Sequence, residues 1–367
     1  MRILWFNWRD IVNPEAGGAE VFTHEIMKRL AKRGYEMTLF TSRFKGCQLN
    51  ENIDGVDIVR EGNKYTLYKE ARNYLRAYMH YYNLIIDEIN TRPFFTPKFV
   101  REEQVIALIH QLAREFWFYE TRFPVSYIGY YYLEKKWLSK YKNITTLTVS
   151  NSTKMDLQEL GFKKVFMVPP GLNVTPLSGV REKEAKPTVI FIGRLKKAKL
   201  PHHALQAFSI IKREIDDARM WIIGDGYLRE KLESSAMKDV IFYGHVLNEK
   251  KYELLSRAHI ILVPAVREGW GLIVTEANAM GTPAIGYDVH GLRDSIKHGE
   301  TGITVMEKSP AAMAQQAISL LRDPKRLYKY SKNALEYAKQ FSWDRSADLF
   351  QEVINNQNET NADVIIG

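Results

Sequence analysis

The chain has 367 residues, 45% of them hydrophobic, which is enough for two domains with cores of their own. Its 52 Lys and Arg against 43 Asp and Glu leave a mild +9, which argues against a polycationic nucleic-acid arm. The single cysteine, Cys47, excludes an intrachain disulfide, argues against a cysteine-based zinc site and fits a reducing compartment. The apolar run at residues 3–6 is shorter than the ~7–15 residues of a secretory signal. No window reaches the ~20 apolar residues of a membrane span. These features predict a cytoplasmic protein, at most attached to the inner face of the cell membrane.

Short apolar runs alternate with helix-period segments almost from end to end. Runs at 3–6, 37–41, 56–59, 105–109, 146–149 and 165–168 read as strands, and segments 20–32 and 154–160 as helices. Residues 67–90 read as one long helical stretch. Further strands at 189–192, 220–223, 240–243, 260–263, 284–286 and 303–305 alternate with helices at 200–213, 228–237, 250–258 and 272–280. From Pro310 the pattern is helical, at 311–322, 325–340 and 343–356. Such alternation predicts βα units around parallel sheets, an α/β fold of two Rossmann-like, doubly wound domains. The Pro- and Gly-rich segment 168–179, "VPPGLNVTPLSG", suits a stiff connector between domains 1–170 and 171–342. Two such domains predict a ligand cleft between them, at the carboxyl ends of the strands.

The stretch 263–296 contains the most informative residues. Glu268 follows a strand, and Glu276 comes eight positions later inside a helix, with Gly269 and Gly271 between them. A carboxylate accepts hydrogen bonds from two vicinal hydroxyls, so this pair predicts a polyol clamp. The helix start at Gly271-Leu272 offers free N–H groups to phosphate. In "FIGRLKKAKL", residues 191–200, Arg194 and Lys199 follow a strand end and precede a helix, a place from which cations neutralise a leaving diphosphate. Lys196 and Lys197 read as a solvated turn. Gly224-Asp225-Gly226 makes a strand–turn–helix junction, but Arg229 stands where a dinucleotide fingerprint has its third glycine. In the first half, Gly17-Gly18 opens a helix, and His110 ends the apolar run 105–109. No Asp-x-Asp and no trusted histidine spacing is present, so no metal site is expected.

Arg194, Lys199 and the Glu268-x7-Glu276 stretch together resemble the donor site of family 4 (group 1) glycosyltransferases, retaining enzymes of the GT-B fold. The resemblance spans nearly the whole chain and is strongest over 188–306. "GRLKKAKL" departs from the family's usual Lys-Gly, with Lys199-Leu200 in its place. The resemblance implies that Arg194 and Lys199 bind the donor diphosphate, that Glu276 holds the ribose, and that Glu268 meets the hydroxyls of the transferred sugar. It also implies that backbone at Gly269, Trp270, Gly271 and Leu272 touches phosphates and sugar. The base is implied to lie near Gly224, Gly226, Tyr243 and His245. "NPEAGGAEVFTHEI" resembles the family's first loop, which places Gly17 and Gly18 at the donor, and a strand-end histidine, here His110, lies near the donor sugar. The last helix, 343–356, is implied to cross back to the N-terminal domain.

The expected reaction is metal-independent transfer of a hexose, with retention, from a UDP- or GDP-linked sugar to a sugar or lipid-linked acceptor, with no cofactor and no nucleic acid. No nucleophile for a double displacement is evident, which favours a same-face route assisted by the departing phosphate. Residues 116–137 are dense in aromatics and run into Lys135, Lys136, Lys140 and Lys142, a pattern that fits either core packing or an anionic membrane surface. Two alternatives keep the same fold: a nucleotide-sugar epimerase or hydrolase, and a non-catalytic sugar-nucleotide-binding protein.

Overall fold

The computed structural model describes the backbone of residues 1–366 and the side chains of residues 1–357. The chain divides into two compact units. The first comprises Met1–Trp117, Arg122–Gly171 and the chain from Ser342 on; the second comprises Phe118–Thr121 and Leu172–Phe341.

The first unit is built on an eight-stranded sheet. Its strands are β1 (Arg2–Phe6), β2 (Glu36–Thr41), β3 (Asn50–Ile53), β4 (Val56–Arg60), β5 (Leu84–Glu88), β6 (Val105–Leu108), β7 (Thr145–Thr148) and β8 (Val165–Met167), in the order β3-β4-β2-β1-β5-β6-β7-β8. All neighbours are parallel except the β3–β4 hairpin at the edge. Ile3, Leu4, Trp5 and Phe6 are all fully buried, as an interior strand covered on both faces requires. Helix Gly18–Lys32 turns Phe22, Ile26 and Leu30 inward at helical spacing. Helix Trp343–Ile366 packs on it: Arg29 donates to Asp344 at 2.6 Å, Arg33 to Asp348 at 2.6 Å, and the Trp5 and Phe350 rings stack at 5.3 Å. Ser346 donates to the Pro169 carbonyl at 2.6 Å, which holds the start of the 168–179 connector to this unit.

One sequence expectation fails here. Residues 67–90 are not one helix: helix Leu67–Tyr78 is followed by a short 3₁₀ turn and then by β5, which pairs with β1 and β6 near the middle of the sheet. The run Leu84-Ile85-Ile86 is apolar on both faces, so it carries no period of two. Burial on both sides, rather than alternation, makes it a strand. The hairpin strand β3 was not expected either; its turn is the Asp54-Gly55 pair, with Asp54 in left-handed backbone. The terminal helix extends beyond residue 356.

The second unit holds a six-stranded, all-parallel sheet: β9 (Thr188–Ile192), β10 (Arg219–Ile223), β11 (Val240–Gly244), β12 (Ile260–Val263), β13 (Ala284–Tyr287) and β14 (Gly302–Val305), in the order β11-β10-β9-β12-β13-β14. Each lies within a residue of its expected range. The connector docks on this unit through Leu177 N to Ala279 O at 2.9 Å. Further along, half-buried Lys183 donates to the carbonyls of Ser256 and Gly281 and to the Thr282 hydroxyl, and desolvation of the ammonium pushes it down to about 7.

Candidate functional site

In the second unit the carboxyl ends of β9, β10 and β11 are tied to one another by their loops. Gly193 N donates to Ile223 O, Gly224 N to Gly244 O and Leu195 N to Asp225 O, at 2.8–3.0 Å. This stitching explains the glycine at position 224: a Cβ there would meet the Gly193 carbonyl oxygen at 2.1 Å. Arg194 is exposed on the first of these loops, and Lys199 closes the 3₁₀ turn Lys197–Lys199. Leu200, which stands where the family has glycine, keeps the left-handed backbone (φ +48°) and caps helix Pro201–Glu214. The departure from Lys-Gly therefore preserves the turn at a strain of about 1–2 kcal/mol, offset by burial of the leucine side chain. Glu120 lies in this unit as well and accepts from Ala198 N at 3.0 Å and from the Tyr227 hydroxyl.

The loop after β12 carries Glu268. Its N–H donates to His290 O at 3.1 Å, and Gly291 approaches so closely that a Cβ would meet the Glu268 carbonyl at 2.3 Å. The Glu268 carboxylate is paired with the Lys199 ammonium, which joins two pieces 69 residues apart in the sequence. Gly271 caps helix Leu272–Ala279, from which Glu276 projects half-buried. Both Glu276 oxygens accept from Lys251 Nζ, at 2.8 and 2.9 Å, and one also accepts from the Tyr252 hydroxyl at 3.3 Å. Burial and this carboxylate raise the Tyr252 phenol well above its ordinary value. Trp270 packs edge-on against Phe341. Tyr243 meets Trp221 edge-on, while His245 is exposed beyond β11. Lys251 and Tyr252 escaped the sequence reading because nothing in their local pattern separates them from other residues of an amphipathic helix.

In the first unit Gly17 precedes helix Gly18–Lys32, and its N–H is taken by the Glu20 carboxylate at 2.7 Å. An anion at this helix start therefore meets a carboxylate already in place, with Arg9 3.9 Å from Glu20. His110 stands just after β6. Its Nε2 lies 3.0 Å from Glu88 Oε1, its carbonyl accepts from the Thr153 hydroxyl at 3.3 Å, and Phe22 meets its ring edge-on at 5.2 Å. Glu88 was missed because it ends β5, the strand read as helix. Among the described residues no three His, Cys, Asp or Glu side chains converge as metal ligands, and no helix is long and apolar enough to cross a membrane.

Two family models match nearly the whole chain between them: Glycosyltransferase Family 4 over residues 16–175 and Glycosyl transferases group 1 over residues 178–341. A glycogen synthase from Mycobacterium tuberculosis is 25% identical over 230 residues, 60% of this chain and 55% of that enzyme. The chain spans about half the length of the curated relatives it matches. Among solved structures, a sucrose-phosphate synthase from Thermosynechococcus elongatus superposes with a TM-score of 0.79 at 19% identity, over 98% of this chain and 99% of that one. Anabaena HepE in complex with UDP-glucose superposes with a TM-score of 0.69 at 13% identity, over 97% and 100%. The fold is that of the GT-B glycosyltransferases. The chain belongs to the group 1, family 4 glycosyltransferases.

Proposed function

We propose that the protein transfers a hexose from a UDP- or GDP-linked sugar to a sugar or lipid-linked acceptor, with retention and without metal or other cofactor. The observation that carries this reading is the Lys199–Glu268 pair beside the glycine-capped start of helix Leu272–Ala279. A nucleoside diphosphate brings the stronger anion. It draws the Lys199 ammonium, with Arg194, onto the phosphates and frees Glu268 to accept hydroxyls of the sugar. Glu276, held by Lys251 and Tyr252, is poised to accept both ribose hydroxyls. The charge developing on the leaving phosphate then falls on fixed cations and backbone N–H groups, the work a metal does elsewhere. HepE was crystallised with UDP-glucose, which supports a uridine nucleotide as the first donor to try.

The acceptor side is proposed to include an anionic membrane surface, met by the exposed aromatics and lysines of residues 122–140. The function is tested by thermal unfolding with UDP-glucose, GDP-mannose and related donors, with and without EDTA. At one hundred times its Kd a donor adds about 2.7 kcal/mol, visible as a shift of several degrees that EDTA leaves unchanged. No shift with any nucleotide sugar overturns the reading, and a shift abolished by EDTA overturns metal independence. Product analysis with donor alone then separates transfer from epimerisation or hydrolysis.

A further inference from the structure

The first unit buries two adjacent acids at the carboxyl end of β5, and they are used differently. Asp87 spends its oxygens on its own surroundings: Phe94 N, Thr96 N, the Thr96 hydroxyl and the Tyr141 hydroxyl, at 2.6–3.2 Å. Those bonds fix a loop and a helix end. Glu88 has a fully buried side chain, and its Oε2 accepts from Trp5 Nε1 at 2.8 Å and from the Thr23 hydroxyl at 2.6 Å. Its Oε1 lies 3.0 Å from Nε2 of His110, whose side chain is 12% exposed. Asp87 completes the scaffold, whereas Glu88 directs one oxygen at a ring that solvent and ligand can reach.

We propose that Glu88 is a positioning residue, which sets the orientation and the tautomer of the His110 ring so that Nδ1 presents a lone pair to a sugar hydroxyl. The role of the ring in transfer rests on the function proposed above; the tautomer does not. The chemistry runs as a chain of donors. Trp5 can only donate, and both it and Thr23 donate to Oε2, so Oε1 is the oxygen left for the imidazole. An ionised carboxylate has no hydrogen to give, so the neutral ring must carry its hydrogen on Nε2 and keep Nδ1 as acceptor. The supports of this pair are themselves fixed. Trp5 is fully buried and stacked on Phe350, and Phe22, which meets the imidazole edge-on, also meets Trp343 at 5.9 Å. The terminal helix thus backs the histidine from both the carboxylate side and the ring side.

Glu88→Gln is isosteric and tests the assignment. The glutamine oxygen is retained by the two donors Trp5 and Thr23, which turns its NH₂ toward His110. Nε2 must then accept, and the ring hydrogen moves to Nδ1. Long-range ¹H–¹⁵N spectra of the intact protein should show His110 protonated on Nε2 in the wild type and on Nδ1 in the variant. Turnover should fall at least about tenfold, the lower end of what losing the carboxylate partner of a metal-bound histidine costs, with KM for the donor little changed. A wild-type ring protonated on Nδ1 overturns the proposal whether or not the protein transfers sugar. A variant with the switched tautomer and unaltered turnover overturns the functional part. The wild-type spectrum needs no variant. Should Glu88→Gln not fold, Thr23→Val loosens Glu88 without touching His110 and should lower kcat severalfold; unchanged kcat overturns the positioning role. Failure of every nucleotide sugar to bind would remove the transferase reading and leave the tautomer result standing.

Discussion

Glu276 and Glu268 differ in their partners, and the difference separates their expected effects. Glu276 is held through both oxygens by Lys251 and through one by Tyr252, which fixes the orientation of its carboxylate for the ribose role proposed above. Among the described residues the Glu268 carboxylate is held by Lys199, a cation that a diphosphate would claim. Glu276→Gln should therefore weaken UDP itself, by the ~1.5–3 kcal/mol of a charge-assisted hydrogen bond, or roughly ten- to hundredfold in Kd. Glu268→Gln should leave the Kd of UDP nearly unchanged and weaken the UDP-sugar. Titration calorimetry with both ligands on both variants checks the pair. Equal losses for UDP in the two variants would remove the assignment. The glutamates were legible in the sequence because acids stand out in an apolar, glycine-rich stretch. Lys251, Tyr252 and Glu88 were not, because their significance lies in what they touch 22 to 25 residues away.

At the scale of elements, legibility followed the pattern of burial. In the second unit strands and helices alternate cleanly, and every strand was readable from its apolar run. In the first unit β5 was hidden, since the tyrosine-rich segment before it continues a helical period and Leu84–Glu88 is buried throughout. The terminal helix was legible as a helical stretch and the resemblance implied its return to the N-terminal domain, but the side chains that dock it were not legible. It covers Trp5 with Phe350 and Phe22 with Trp343. Phe350 is fully buried, so Phe350→Ala opens a cavity against Trp5 and should cost ~3–5 kcal/mol. Denaturant unfolding followed by Trp fluorescence should report this as an earlier transition of the first unit. A loss below ~1 kcal/mol would mean that the helix is an appendage rather than part of that unit's core.

For the whole molecule, the +9 of the composition is too small to predict a partner, but its distribution around one exposed segment does. Phe123 and Tyr132 are 79% and 72% exposed, large apolar surfaces that a protein in water does not leave bare in a row without a use. Phe123, in the turn before helix Val125–Ile128, Tyr127 on that helix and Tyr131 in the π-helical turn after it form a row of rings, with centroids 5.8 and 6.0 Å apart. Lys135, Lys136 and Lys140 are exposed just beyond it. Aromatic rings settle at the headgroup level and lysines at an anionic surface add ~1 kcal/mol each. The protein should therefore co-sediment with vesicles containing anionic lipid and remain in solution with neutral ones. Replacing the three lysines by serine should weaken the anionic binding by ~3 kcal/mol, roughly a hundredfold. Raising the salt should have the same direction of effect, because the Debye length contracts from ~8 Å at 0.15 M to ~3 Å at 1 M. Tyr132→Ser should weaken binding at every salt concentration, since its contribution is apolar. Equal partition to neutral and anionic vesicles, or none to either, would return the segment to a surface with no membrane role and leave the acceptor as a soluble sugar.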